Sequence, residues 1–193
     1  MNAMRFSLAT LLPLIVPAAL AQSHTFTVNP DTSVVKMELP GTGHVTEGTF
    51  HVEKGSVQFG TASEPMSGSV LVNAGSGTTG NSSRDKRMTT EVLEATRFAE
   101  IAFAPKSYTG ALSPSGDSTL QISGTFTVHG APHPLTVSMQ MHTEGNRLTA
   151  HTTFSIPYVQ WGLKDPSIVF FKVAKDVKID LTLIGTLQYA QNY

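Results

Sequence analysis

The chain's strongest constraint on its own fold is a pattern centred on Glu144-Gly145-Asn146-Arg147. These are turn-forming residues, and apolar and polar positions alternate away from them in both directions. With Gly145-Asn146 as a two-residue loop, Leu135, Val137, Met139 and Met141 fall opposite Ile156, Phe154, Thr152 and Ala150. The other face then collects Thr136, Ser138, Gln140 and His142 against Ser155, Thr153, His151 and Thr149. A single register gives both flanks one apolar and one wet face, which is the pattern of an antiparallel pair covering a core.

The same period of two recurs along the chain. Val177, Ile179, Leu181 and Leu183 alternate with Lys178, Asp180 and Thr182, and Val35, Met37 and Leu39 alternate with Lys36 and Glu38. Phe50 and Val52 alternate with His51 and Glu53, a Lys54-Gly55 turn is expected next, and Val57 and Phe59 return. Val70 with Val72, Ile101 with Phe103 and Phe126 with Val128 supply further short strands. Eight to ten strands in one chain predict an all-β fold, an antiparallel barrel or sandwich. A closed barrel of about eight strands holds one small ligand. Alternation assigns faces only; whether the apolar face lines a tunnel or a packed core stays open.

One long segment breaks the pattern. Between Thr78 and Phe103 lie Arg84, Asp85, Lys86, Arg87, Glu91, Glu94, Arg97 and Glu100, with Val92, Leu93 and Phe98 as apolar points. Ser82 stands three before Asp85, a weak capping pattern that predicts one or two helical turns. This segment reads as a short helical crossover capping one end of the β-structure, where a barrel admits a ligand.

The first 21 residues carry Arg5, an apolar run from Phe6 to Leu20 and a closing Ala19-Leu20-Ala21. That layout predicts a secretory signal over 1–21 cleaved after Ala21, and residues 22–193 as one domain. Pro13 and Pro17 interrupt the apolar run and leave it short of the roughly 20 residues a spanning helix needs. The sequence has no cysteine, so the domain is held by its core without disulfides. A formal charge of −1 argues against a nucleic-acid surface or a polyanionic partner.

Four constellations bear on chemistry. Gly75-Ser76-Gly77-Thr78-Thr79-Gly80 spells a dinucleotide fingerprint, but that motif needs a parallel βαβ unit and a long helix, whereas a charged run and antiparallel patterns follow. Seven histidines are present, but none makes a helical pair with a carboxylate, and His142 and His151 fall as diagonal neighbours on the wet face. No metal centre is expected. There is no G-x-S-x-G elbow for nucleophilic catalysis, and no catalytic residue is assigned. Arg84-Asp85 with Lys86 and Arg87 either grips a polar head group or is a solvated charge run, the second being the reading for Lys86 and Arg87.

The order of smaller motifs adds a resemblance. Asp31-Thr32-Ser33-Val34 comes first, then His44 before Gly48-Thr49-Phe50, and Thr78-Thr79-Gly80 before Arg84-Asp85. Phe98 leads to Ile101-Ala102-Phe103, followed by Gly124-Thr125-Phe126-Thr127-Val128-His129-Gly130, Pro134-Leu135-Thr136-Val137, Trp161-Gly162-Leu163 and Val177-Lys178-Ile179. This order resembles the YceI-like family of exported bacterial proteins over nearly the whole of residues 22–193. The chain departs from the family at Ile156-Pro157-Tyr158-Val159-Gln160-Trp161-Gly162, where many members carry an arginine and a phenylalanine, and at Lys164-Asp165-Pro166-Ser167.

The resemblance implies an extended, lipocalin-like antiparallel β-barrel whose apolar lumen holds a polyisoprenoid chain, of an isoprenoid quinone or an isoprenoid lipid, and no catalytic activity. By position it places His44, Arg84 and Asp85 at the head group. Adding the alternation pattern gives an expected lumen of Phe50, Val70, Phe103, Val137, Met139, Phe154, Ile156, Ile179 and Leu181, with Trp161 at the mouth. The protein is therefore expected to be periplasmic or secreted, to bind lipid, and to have neither a nucleic-acid partner nor stable transmembrane insertion. A structural or stress-related exported barrel filled by its own side chains is the alternative, with a hydrolase third.

Overall fold

The computed structural model describes residues 23–60 and 65–189, so the expected signal segment 1–21 lies outside it. Ten strands follow in order: β1 (His24–Val28), β2 (Val34–Gly41), β3 (His44–Phe50), β4 (Val52–Phe59), β5 (Ser67–Asn73), β6 (Glu100–Thr109), β7 (Gly116–Val128), β8 (Ala131–Glu144), β9 (Arg147–Ile156) and β10 (Val177–Tyr189). All pairings between them are antiparallel. Eight of them, β1-β4-β5-β6-β7-β8-β9-β10, close on themselves because β10 returns to β1. The chain is thus the all-β, lipocalin-like antiparallel barrel that the family resemblance implies, and the closed form of the two that the alternation pattern leaves open.

β10 is long enough to serve two neighbours. Its later residues Gly185 to Tyr189 pair with β1, and its earlier residues Lys178 to Thr182 pair with β2. Between β1 and β2 the chain makes a 3-10 turn, Pro30–Thr32, capped by the Asn29 side chain. The interruption stays tied to β10, because the Asn29 amide donates to the Ile184 carbonyl at 2.8 Å and the Ile184 amide donates to the Ser33 hydroxyl at 3.0 Å. β3 and β4 behave likewise as one bent ribbon, β4 pairing β1 and β3 pairing β2.

Two expectations need correction here. The predicted Lys54-Gly55 turn does not exist; both residues lie within β4, and the register against β5 shifts between Val52 and Lys54. The irregularity is a bulge that bends the ribbon, and Gly55 is needed for close approach: a Cβ there would stand 2.7 Å from Val28 Cγ2. The helix cap is also misplaced by one residue. Helix α1 (Ser82–Arg87) is capped by the Asn81 side chain, which accepts from the Arg84 amide, and a π-helical turn, Met88–Val92, extends it.

The β8–β9 register is the predicted one, with Glu144 opposite Arg147 and Gln140 opposite His151. The ladder stops at that last pair. Beyond it the strands part, and the buried Thr152 hydroxyl donates to the Ser138 carbonyl at 2.9 Å where a backbone bond would otherwise stand. The wall also lacks a strand on the free side of β3, where Thr49 and Thr78 exchange two backbone bonds at 2.9 and 3.0 Å. One end of the molecule is therefore a laddered barrel apart from β5–β6, which pair only over Val70–Asn73, and the other has two seams covered by non-strand segments.

Packing follows this division. At the laddered end Phe26, Val57, Phe59, Tyr108, Leu120, Leu148 and Leu187 fill the interior, with Leu120, Leu148 and Leu187 at 0–1% exposure. Side chains of this kind each contribute about 1.5–3 kcal/mol when fully buried. The Tyr108 hydroxyl donates to the Gly60 carbonyl at 2.7 Å, so this half holds a satisfied polar group as well. At the seamed end a second cluster, with Val92, Leu93, Phe126, Tyr158 and Leu163, lines the periphery and leaves the axis empty.

Candidate functional site

The empty axis is a cavity of about 540 Å³, well inside the roughly 300–1,000 Å³ of small-molecule sites. Its wall is almost wholly aliphatic and aromatic. Val35, Val70, Met139 and Leu183 form the inner part, where the cavity meets the packed half, and all four are buried. Phe50, Phe103, Val137, Phe154, Ile156, Ile179 and Leu181 continue the wall, so every residue of the expected lumen faces this one space. The lining contains one histidine and no carboxylate.

Polar residues gather at the rim. His44 comes from the start of β3, Thr46 follows two residues on, and Thr79, Ser83, Arg84 and Arg87 come from the α1 crossover. Gly77 sets this crossover against the wall, since a Cβ there would stand 2.5 Å from Met88 Cε and 2.6 Å from Phe50 Cε1. The glycines of the fingerprint-like stretch serve packing and turning, and the six-residue helix after them is far shorter than a dinucleotide fold requires.

Asp85 and Arg84 act through Thr79. The Asp85 carboxylate accepts from the Thr79 hydroxyl at 2.5 Å, the Thr79 amide at 2.7 Å and the Thr78 hydroxyl at 3.1 Å. Chiefly the Thr79 hydroxyl holds this carboxyl below its ordinary range. Partial desolvation opposes it, and the Thr79 amide, the Thr78 hydroxyl and Arg84 reinforce it. Arg84 Nε in turn donates to the Thr79 hydroxyl oxygen at 2.8 Å, and Nη2 to the Thr79 carbonyl at 3.1 Å. Asp85 is thus a clamp that orients the arginine and lies outside the cavity lining, whereas Arg84 is at the rim.

Arg87, read from sequence as part of a solvated run, also lines the cavity, as does Met88. The spacing held the signal, because positions 84, 87 and 88 share one helix face. Arg87 pairs with Glu91 at 3.7 Å, and Glu91 accepts from Lys164 Nζ at 2.7 Å, which ties the crossover to the segment before β10. The Lys164 bond and charge hold the Glu91 carboxyl below its usual value.

Trp161 is placed differently from the mouth position expected of it. Its ring stacks on His133 at 4.1 Å with 3° between planes and lies 5.9 Å from Phe126, over the parting of β8 and β9, and it is not among the lining residues. Tyr158, four residues after the predicted wall residue Phe154, does line the cavity, and its hydroxyl donates to the Ala174 carbonyl at 2.9 Å. Burial first, then the charges of Asp165 and Asp176, push this phenol up to about 12. It stays neutral at any physiological pH.

His142 and His151 lie on the outer face. His142 pairs with Asp117 at 2.6 Å and His151 with Asp180 at 3.2 Å, each bridging to the strand on its other side. Among the described residues no three metal-ligating side chains come together, and no helix is long and apolar enough to cross a membrane.

A sequence model of the YceI-like domain matches residues 26–184. The chain belongs to the YceI-like family. Among solved structures this YceI-like chain is similar to Burkholderia cenocepacia BcnA, with a TM-score of 0.67 and 20% identity over 82% of this chain and 99% of that one. It is also similar to a polyisoprenoid binding domain from Saccharophagus degradans, with a TM-score of 0.63 and 14% identity over 86% and 98% of the two chains. A mutant Campylobacter jejuni YCEI protein gives a TM-score of 0.59 and 14% identity over 73% and 84%. No curated protein sequence matches. At these identities the likeness shows the shared barrel.

Proposed function

We propose that this YceI-like barrel is an exported lipid-binding protein that holds the polyisoprenoid chain of an isoprenoid quinone or isoprenoid lipid in its lumen, without catalysing a reaction. The observation that carries the reading is the hollow half: an apolar cavity of about 540 Å³ ending on packed side chains, with its cationic groups at the rim. An apolar tail gains about 0.8 kcal/mol for each CH₂ removed from water, and only part of that is offset by its lost freedom. Arg84, Arg87 and His44 are the groups for a polar or anionic head at the rim. The polyisoprenoid binding domain from Saccharophagus degradans shares the fold.

A barrel filled by its own side chains describes the laddered half alone. Hydrolysis would require a base and an orienting acid at the bound chain, and the lining has no carboxylate to partner His44. The signal-like layout of residues 1–21 supports export to the periplasm or beyond.

Calorimetric titration of delipidated protein with an isoprenoid quinone carrying a four-unit tail tests the reading. Met139→Lys sets an ammonium in the apolar inner part of the cavity, where an unpaired charge costs several kcal/mol, and abolishes binding. Arg84→Ala removes a head-group contact near solvent and weakens binding by about 1.5–3 kcal/mol at most. Full binding by folded Met139→Lys protein would show that the tail sits elsewhere.

A further inference from the structure

Between Leu163 and β10 the chain forms a loop that leaves the barrel and comes back. At its far point Ile168, Val169, Phe170 and Phe171 are exposed by 49, 78, 83 and 56%, although the interior would take every one of these side chains. They form a tight turn, the Ile168 amide donating to the Phe171 carbonyl at 2.9 Å and the Phe171 amide to the Ile168 carbonyl at 3.2 Å.

The base of the loop is fixed. The Thr42 amide donates to the Lys172 carbonyl at 2.8 Å, the Lys172 amide to the Thr42 hydroxyl at 3.1 Å, and the Ala174 amide to the Pro40 carbonyl at 2.8 Å. The Tyr158 hydroxyl holds Ala174 from the cavity side. Pro166 and Val173, which flank the turn, both line the lumen. The apolar turn therefore stands at the rim of the cavity, carried by backbone bonds that keep it out of it.

We propose that Ile168–Phe171 is a membrane-docking tip that inserts into the interfacial region of a lipid bilayer and brings the lumen rim to the lipid phase. The inference rests on the lipid-binding reading for its purpose, and on the exposed turn alone for its chemistry. Two phenylalanines and two branched aliphatics on a convex, anchored turn suit the acyl boundary, into which such side chains insert while the backbone remains near the head groups. Charge agrees with this. Lys164 is matched by Glu91 and Lys175 by Asp165, whereas Lys172, next to the tip, has no carboxylate within ion-pair distance among the described residues. A second copy of the chain is a poorer occupant. Four side chains of this size, covered on both copies, bury on the order of 1,000 Å², below the roughly 1,200–2,000 Å² of a stable interface.

Flotation with vesicles of equal parts phosphatidylethanolamine and phosphatidylglycerol tests the proposal, comparing the unaltered protein with a Phe170→Ser, Phe171→Ser double variant. Each phenylalanine is worth about tenfold or more in partitioning, so the double variant loses about 100-fold of its vesicle binding. Uptake of the four-unit isoprenoid quinone from detergent micelles, which bypasses the bilayer, stays equal in the two proteins. Vesicle binding without quinone uptake by either protein leaves the tip standing and removes the lumen reading. Equal flotation of both proteins, or none by the unaltered one, overturns the tip. So does sedimentation showing a dimer that the double variant dissociates, since a second copy would then cover the turn.

Discussion

The same chemical change, valine to phenylalanine, has opposite consequences in the two halves of the barrel if one is hollow and the other filled. Val137 is buried yet faces the cavity, so a phenylalanine there extends into open space. Its added carbons exchange water or ligand for apolar wall, and the change is neutral within about 1 kcal/mol. Val28 is equally buried, but its Cγ2 lies where a single added carbon on Gly55 would clash at 2.7 Å. Its replacement must displace strands β4 and β10 or adopt a poor rotamer, at a cost of about 1–3 kcal/mol or more. Urea unfolding of both variants, read by circular dichroism, gives the difference directly, and lipid carried through purification falls only in Val137→Phe. If Val137→Phe is destabilised as much as Val28→Phe, the seamed half is packed and the cavity assignment fails.

Other outcomes follow from the rim and the seams. Trp161→Ala removes the ring stacked over the β8–β9 parting and costs about 2 kcal/mol, less than a fully buried tryptophan because Trp161 is only half-buried, with unfolding by urea as the measure. Asp85 has a folded carboxyl held below its ordinary value, so its contribution is fully present above the unfolded carboxylate range and is lost as pH falls through the lower folded value. Rim geometry and quinone affinity, measured by calorimetry, are therefore constant from about pH 5 to 8 as far as Asp85 is concerned and decline below about pH 4. Asp85→Asn abolishes that acid dependence. Tyr158 has the opposite sign: its raised phenol contributes below about pH 10 and is lost as pH rises toward 12, so the 164–176 loop loosens only in strong alkali, seen as faster proteolysis there.

The barrel was legible because one face of each strand is buried. A one-residue slip at Gly145-Asn146 would turn Val137, Met139 and Phe154 outward, so the register follows from the alternation alone. Lys54-Gly55 misled because a glycine needed for close approach to Val28 is chemically the same as one needed for a turn. Cavity against core was not legible, since Met139 beside empty space and Met141 in the packed half carry the same pattern. The places of Asp85 and Trp161 were not legible, since they depend on Thr79 and His133, which only the folded chain brings beside them. Ile168–Phe171 has no periodicity, and its exposure comes from the bonds between Thr42 and Lys172 far apart in sequence.

Organic extraction of the purified protein, with mass spectrometry of the extract and quantitation against protein, addresses the central claim most directly. A hollow apolar half that holds an isoprenoid chain predicts one such molecule per chain, lost from Met139→Lys protein that remains folded. An extract with no stoichiometric lipid from protein that also takes up no isoprenoid quinone when supplied would contradict it.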